Sequence, residues 1–301
     1  MVSASKTYPP SCIKKLCPRG AFRGHFFPKR ERQPKHNTSP SFASIRPRRG
    51  KTLFRRAASW YDTEDNIREE GSPIIRFLLF DLDDTLLDFR RSERTSLSRV
   101  LARRGCPPAD SDLDNYSRIN VKWWQKLECG EVTRREVIVG RFEEFLSSFA
   151  PELCAAEVAD EYECGLKDCG FLLPGALENL SRLRDEGYLM YAVTNGAGDI
   201  QRSRVRLSGI GPFIREFFIS EEIGYEKPSP LFFEAAFKRI PGFRKSEAAL
   251  IGDSLTSDIR GALNAGVLPV WFSPRAYLPP SFPRVEVIRS LDEIRPREWE
   301  Q

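Results

Sequence analysis

The stretch IIRFLLFDLDDTLLD, Ile74 to Asp88, decides the fold of this chain of 301 residues. Its first seven residues are mostly apolar and have the length of a strand that is buried on both faces, as in a parallel sheet. Carboxylates then follow in quick succession, at Asp81, Asp83, Asp84 and Asp88. Like charges this close repel one another, so their presence at the end of a buried strand needs a physical reason.

From residue 74 onward the sequence alternates between strand and helix patterns. After a helical stretch, strands are expected at 188–193, 216–219, 248–251, 267–272 and 285–288. Helices are expected between them, at 176–186, 199–208, 230–239 and 255–265. This alternation predicts an α/β fold, a Rossmann-like parallel sheet flanked by helices. Ligands of such sheets bind beyond the carboxyl ends of the strands.

The helical stretch, at about 92–170, interrupts the alternation and predicts an inserted cap of four helices. Apolar residues at helical spacing predict its first three helices, and Thr133 and Glu136 form a capping-box pattern that opens the third. The fourth helix is expected at 151–166. The predicted core then consists of 71–91 and 171–301.

The N-terminal region, residues 1–70, has the composition of a disordered basic tail. Residues 1–58 contain 15 Lys and Arg but one acid, Glu31, so their net charge is +14, whereas the rest carries −9. Three interpretations stay open: an organelle transit peptide, an arm attracted to nucleic acid or membranes, and upstream sequence included by an early start codon. The last is preferred because the tail serves no visible purpose for the rest. The acidic globular part argues against nucleic acid as its partner.

Composition also narrows the compartment and the chemistry. No apolar run reaches the roughly 20 residues that a membrane span needs, and the N-terminus lacks a secretory signal. The seven cysteines form no CxxC pair and read as reduced thiols, so we expect a cytoplasmic protein, or an organellar one if the tail is a transit peptide. The two histidines, His25 and His36, both lie in the tail. Acid–base chemistry in the globular part must therefore use carboxylates, Lys or Tyr.

Polar residues follow the predicted strands at the points where ligands should bind. Aspartates follow the first strand, Thr-Asn-Gly the second, and Gly-Asp another, with a lysine in the segment between the last two. The residues are Asp81, Asp83, Thr194, Asn195, Gly196, Lys227, Asp253 and Asp258. The strand-end rule predicts that they meet in one crevice.

In order and spacing, DLDDT, VTN, the lysine of EKPSP and GDSLTSD resemble the four signature motifs of the haloacid dehalogenase (HAD) superfamily. The resemblance covers residues 74–290, and the insert resembles the helical cap of that superfamily. It implies that Asp81 is a nucleophile and that Asp83 is a general acid and base. It implies that Lys227 steadies the nucleophile and the phosphoryl oxygens. Phosphate binding falls to Thr194, Asn195 and Gly196, and metal binding to Asp81, Asp83 through its carbonyl, Asp253, and Asp258 as an outer partner.

Physical chemistry supports the same reading. A carboxylate that attacks an anionic phosphate monoester is repelled, and Mg²⁺ between the two removes that repulsion. Mg²⁺ prefers hard oxygen ligands, which this set supplies. Within the superfamily that the motifs resemble, dehalogenases lack the second acid of the first motif, so the resemblance implies phosphoryl transfer for a chain that has Asp83. Asp84 and Asp88 are expected to be structural or surface residues.

The insert indicates the substrate. INVKWWQKLECGEVTRREVIVGRFEEF, Ile119 to Phe145, resembles the pyrimidine 5′-nucleotidase branch, which implies a nucleoside monophosphate as the small-molecule partner. Trp124 and Arg141 are candidate substrate contacts in the cap. The N-acylneuraminate-9-phosphatase branch looks alike in the same regions, so that substrate or a sugar phosphate is the alternative. A binding protein that uses its basic tail is a third reading, from a different class.

Overall fold

The structure, a computed structural model, describes residues 74–274 and 285–299. Within these ranges, parallel strands form one sheet of six in the order β3-β2-β1-β4-β5-β6. The strands are β1 Phe77–Phe80, β2 Leu189–Thr194, β3 Phe217–Ile219, β4 Ala248–Gly252, β5 Leu268–Phe272 and β6 Glu286–Ile288. The predicted parallel Rossmann-like sheet is thus confirmed. The strand order reverses between β1 and β4, where such sheets bind ligands.

Helices accompany the sheet and form the insert that follows β1. The insert contains α1 Phe89–Arg103, α2 Asp110–Glu128, α3 Arg134–Phe149 and α4 Ala155–Leu166. The later helices are α5 Ala176–Asp185, α6 Gly198–Ser208, α7 Ser220–Ile223, α8 Pro230–Phe237 and α9 Arg260–Ala265. Short 3₁₀ turns occur at Gly211–Phe213, Lys245–Glu247, Leu291–Glu293 and Pro296–Glu298, and a π-helical turn at Leu255–Ile259.

Two hydrophobic layers cover the sheet because the side chains of β1 alternate between its faces. Leu78 and Phe80 pack on one side with α5 and the C-terminal turns. Phe77 and Leu79 pack on the other side with α8 and α9. Every residue of β1 is buried, as the continuous apolar run predicts. The sheet therefore forms a rigid base whose strand ends place the polar residues.

The insert has a hydrophobic core of its own. In it α1 packs against α4 and α2 against α3, around Tyr116, Phe142 and Tyr162. The predicted capping box at the start of α3 is confirmed, since the Thr133 main-chain N–H donates to Glu136 at 2.7 Å. The first helix begins at Phe89, whereas the sequence places the start of the insert near residue 92. The division into core and cap stays an interpretation.

The predicted starts of two elements are wrong, and so is the prediction of one uninterrupted helix. The first strand begins at Phe77 rather than at residue 74, because Ile74 is exposed and lies outside the paired part of the sheet. The fourth insert helix begins at Ala155 rather than at residue 151. The single helix predicted at 255–265 is a π-helical turn followed by α9. This turn begins where the Ser254 carbonyl accepts from the main-chain N–H groups of both Asp258 and Ile259.

The predicted basic tail at 1–70 lies outside the described residues, as do both histidines. Among the helices that the structure describes, none is long and apolar enough to cross a membrane.

Candidate active site

Two of the four aspartates that follow β1 have structural roles. Asp84 adopts a left-handed backbone conformation with φ 56°, and its carboxylate accepts from the Arg90 main-chain N–H at 3.1 Å. Asp88 is the N-cap of α1 and accepts from the Arg91 N–H at 2.8 Å. Both carboxylates thus stabilise the turn and the helix, as expected of structural residues.

Lys227 is a buried cation at the centre of the site. It follows α7 and is 1 % exposed. Its Nζ donates to Asp81 Oδ1 at 2.6 Å, to Asp258 Oδ1 at 2.7 Å and to the Val193 carbonyl at 2.9 Å. All three ammonium protons therefore have acceptors, which fixes Lys227 and holds Asp81 at the end of β1.

Three carboxylates cluster around this lysine. Oxygens of Asp81, Asp253 and Asp258 lie within 4.8 Å of one another. Asp258 also accepts from the Ser254 N–H at 3.1 Å. A Cβ at Gly252, the last residue of β4, would lie 2.4 Å from the Asp258 carboxyl carbon. The absence of a side chain at Gly252 therefore lets Asp258 fold back beside the strand end.

Burial and mutual repulsion disfavour the charged forms of these acids. Burial raises the pKa of the Asp81 carboxyl, and the charge of Asp258 adds to the rise, although Lys227 opposes it. Burial also raises the pKa of Asp253, helped by Asp81 and Asp258. For Lys227, burial alone would lower the pKa, but the charges of Asp258 and Asp81 raise it above its usual value. If all three carboxyl groups were ionised, they would carry more negative charge than the one lysine neutralises.

Thr194 and Asn195 lie at the end of β2, beside Asp81. The Thr194 hydroxyl accepts from the Gly196 N–H at 3.1 Å. The Asn195 side chain and the main chain of Lys227 exchange two hydrogen bonds, of 2.9 and 2.8 Å. Asn195 therefore positions Lys227, in addition to the phosphate contact predicted for it.

Asp83 has different partners from the three clustered carboxylates. Its carboxylate pairs with Arg204 and accepts from Gln201 Nε2 at 2.6 Å. Both partners lie on α6, the helix that follows β2. The Asp83 side chain is 28 % exposed, so the two contacts to α6 leave part of it accessible to solvent.

The insert places its aromatic and cationic side chains in two different environments. Trp123 donates to Glu144 at 2.9 Å and packs on Gly140, which fixes it between α2 and α3. Trp124 instead has Arg134 and Arg141 over its ring, at 5.6 and 6.0 Å. The two tryptophans therefore have different neighbours, which is possible because adjacent residues of an α-helix point about 100° apart.

Arg141 is more enclosed than a simple substrate contact would be. It is 2 % exposed, donates to Asn120 at 2.8 Å and lies 3.5 Å from Glu163. Asn120 in turn donates to Glu93 at 2.8 Å. Arg141 thus belongs to a buried polar network inside the insert, and its predicted substrate contact stays a prediction.

Two residues of the insert reach the core beside the site. Arg134, the first residue of α3, donates to the Asn195 carbonyl and to the Ser220 hydroxyl, both at 2.6 Å. Glu128, the last residue of α2, accepts from the Thr256 hydroxyl. These contacts place the α2–α3 turn over the strand ends.

Comparison with known proteins identifies the family. A family model described as haloacid dehalogenase-like hydrolase matches residues 75–266, a range that contains every strand-end residue described above. The chain belongs to this family. The resemblance to the HAD superfamily that was inferred from the four motifs is thus confirmed.

Individual relatives agree with this assignment. Pyrimidine 5′-nucleotidase PynA of Streptococcus pneumoniae is 38% identical over 66% of this chain and 84% of its own length. The crystal structure of the HAD-hydrolase YfnB from Bacillus subtilis, bound to magnesium, is 36% identical. It superposes with a TM-score of 0.69 and covers 73% of this chain and 96% of that one. A glyceraldehyde 3-phosphate phosphatase of Methanopyrus kandleri is 30% identical over 65% of this chain and 83% of its own.

The sequence motifs located the residues at the strand ends but missed four neighbours. These are Glu128, Arg134, Gln201 and Arg204. The spacing of Gln201 and Arg204 would have placed them on one face of the helix after β2. No local pattern marks Glu128 or Arg134.

Proposed function

We propose that this HAD hydrolase is a Mg²⁺-dependent phosphatase that acts through an aspartyl-phosphate, with pyrimidine nucleoside 5′-monophosphates as substrates. One observation carries the proposal: the buried Asp81 carboxylate is held by Lys227 beside Asp253 and Asp258. A carboxylate fixed at a strand end by an ammonium group can attack phosphorus without losing its orientation.

The acidic cluster fits a hard divalent cation. Its side chains offer only oxygen atoms, and Lys227 is the one cation bonded to them in the described ranges. Asp81 and Asp253 would bind the ion, with the Asp83 carbonyl as a third ligand and Asp258 as an outer partner. When bound, Mg²⁺ supplies positive charge that offsets repulsion between Asp81 and an anionic phosphate.

The residues of the chain would then divide the remaining work. Asp81 attacks the phosphorus atom, while Thr194 and the amide groups near Gly196 hold the phosphoryl oxygens. Lys227 neutralises charge that shifts from Asp81 to these oxygens. Asp83 gives a proton to the departing ester oxygen and later takes one from the water that hydrolyses the aspartyl-phosphate.

The choice of pyrimidine nucleotides rests on the insert. The Trp124 ring lies 5.6 Å from the Arg134 guanidinium, and Arg134 contacts the main chain at the predicted phosphate site. A flat base can stack on such a ring while its phosphate lies at the strand ends. The similarity to PynA over most of that protein's length supports the same substrate class.

A substrate panel tests the proposal. Phosphate release with Mg²⁺ is measured from uridine, deoxyuridine and thymidine monophosphates, purine monophosphates, glyceraldehyde 3-phosphate and N-acylneuraminate 9-phosphate. We expect the highest kcat/KM for the pyrimidine nucleotides. A preference for a sugar phosphate would replace the nucleotidase assignment, and hydrolysis of no monoester would overturn the phosphatase assignment itself.

Variants test the nucleophile and the base contact separately. Asp81→Asn should abolish turnover and the phosphorylated peptide seen after acid quenching, while Asp88→Asn, which retains a helix cap, should keep both. Trp124→Leu should raise KM for pyrimidine nucleotides ~10-fold, since stacking on an aromatic ring contributes ~1–3 kcal/mol per base. Trp123→Leu is the matched control, and an equal effect of both tryptophans would contradict base stacking on Trp124.

A further inference from the structure

Arg204 is a cation of α6 that is almost wholly removed from solvent. It is 1 % exposed, and Asp83 is its one carboxylate partner within the residues that the structure describes. The guanidinium also donates to the Gln201 side-chain oxygen at 3.0 Å, to the Cys169 carbonyl at 3.2 Å and to the Ser92 hydroxyl at 3.4 Å. A buried guanidinium is costly unless it is paired, so Arg204 and Asp83 depend on each other.

Gln201 joins the same carboxylate to the phosphate site. Its Nε2 donates to Asp83 Oδ2 at 2.6 Å and to the Thr194 hydroxyl at 2.9 Å. A Cβ at Gly196 would lie 2.3 Å from this nitrogen. The approach therefore depends on the glycine that ends the Thr-Asn-Gly motif.

We infer that Gln201 and Arg204 are positioning residues that hold the Asp83 carboxyl group in place for proton transfer to the leaving group. Arg204 holds one carboxylate oxygen and Gln201 the other, so the pair restricts both the location of the group and its rotation. The inference rests on the proposed function, because Asp83 acts as a general acid only in a phosphatase.

The reaction step at issue involves two bonds and one proton. A bond forms from an Asp81 oxygen to phosphorus as the bond from phosphorus to the ester oxygen breaks. The ester oxygen takes the proton of the Asp83 carboxyl group. This oxygen then leaves as part of a neutral alcohol. A poor leaving group needs this proton, whereas p-nitrophenolate departs as a stable anion. A displaced Asp83 should therefore slow substrates in proportion to the basicity of their leaving groups.

A series of aryl phosphates tests this directly, because phenyl and p-nitrophenyl phosphates differ chiefly in the leaving group. The measured quantity is kcat/KM, which reports the steps through departure of the first product. A general acid contributes ~10²–10⁴-fold, so Arg204→Met and Gln201→Leu should lose ~10-fold or more on phenyl phosphate but less than ~3-fold on p-nitrophenyl phosphate. Arg204→Lys should recover part of the loss, because it retains a cation.

Two further variants bracket the result. Asp83→Asn should show the same selective loss, and Arg206→Met, which changes an exposed arginine of the same helix, should show none. Should Arg204→Met fail to fold, Gln201→Leu alone decides, since it leaves the buried charge pair in place.

The outcomes separate this inference from the proposed function. Equal losses on both aryl phosphates, with a selective loss in Asp83→Asn, would overturn the positioning role and leave the phosphatase proposal intact. If the unaltered protein hydrolyses no phosphate monoester, the proposed function and this inference both fail. A selective loss that Arg204→Lys partly restores supports the inference.

Discussion

Replacing Lys227 by Met should destabilise the metal-free protein severely. Methionine has a similar length but no charge, so the substitution removes all three donors of the ammonium group. Asp81 and Asp258 then lose bonds of 2.6 and 2.7 Å, and the Val193 carbonyl loses one of 2.9 Å. Lys227 and Asp258 are each 1 % exposed and Asp81 is 6 % exposed, so water does not replace these bonds.

The expected loss follows from that geometry. Removing one partner of a buried ion pair costs about 3–5 kcal/mol because the groups that remain stay buried without a compensating donor. Two carboxylates share this lysine, so the loss should lie at the upper end of that range, about 5 kcal/mol. A typical domain is stable by about 5–15 kcal/mol, so the variant should fold but with a small margin.

Urea denaturation at neutral pH, in the presence of a chelator and followed by circular dichroism, measures this loss. Lys238→Met, a substitution of an exposed lysine, is the control and should change the free energy of unfolding by less than about 0.5 kcal/mol. A double-mutant cycle with Asp81→Asn should give a coupling of about 1.5–3 kcal/mol, the usual range for hydrogen bonds to charged groups. A loss below about 1 kcal/mol, or a coupling near zero, would refute the view that Lys227 holds Asp81.

The remaining predictions concern metal, pH and the insert. Burial raises the pKa of Asp81 and of Asp253, so the folded state keeps protons that the unfolded state has released. The metal-free protein should therefore lose stability as the pH rises from the ordinary Asp pKa of 3.8 through the raised values. Mg²⁺ should remove most of this slope, as urea midpoints with and without the ion can test, and an unchanged slope would contradict binding at the cluster. Arg134→Met should raise KM ~10-fold with less effect on kcat, because it removes charge-assisted bonds to the core worth ~1.5–3 kcal/mol, and initial rates across substrate concentrations separate the two. Thr133→Ala should cost about 0.5–2 kcal/mol of unfolding free energy by removing the α3 cap but keep kcat, and an unchanged stability would exclude a contribution of that cap.

Much of the core was predictable because its signals are local. A continuous apolar run predicts a buried strand, and β1, β2 and β4 all lie within such runs. In a parallel sheet the carboxyl ends of neighbouring strands meet at one edge. The sequence therefore predicted that Asp81, Thr194 and Asp253 lie together, and the structure places them at the ends of these adjacent strands.

Local sequence patterns predicted the backbone conformation less well where a segment also contacts residues that are distant in the sequence. The sequence 255–265 has the pattern of one helix, yet it opens with a π-helical turn. Asp258, within that turn, reaches Lys227 and the Ser254 N–H. Residue 227 is remote in sequence, so a pattern read over a few neighbouring residues does not register its influence.

The sequence by itself determined the order of strands and helices, the acidic residues at the strand ends and the family to which the chain belongs. Only the tertiary structure decided how those acids are divided. Asp81 turns to Lys227, whereas Asp83, two residues later, turns to Arg204 on a distant helix. The reason is that each carboxylate pairs with the cation that lies next to it in the folded chain. The spacing of a motif does not encode which cation that is.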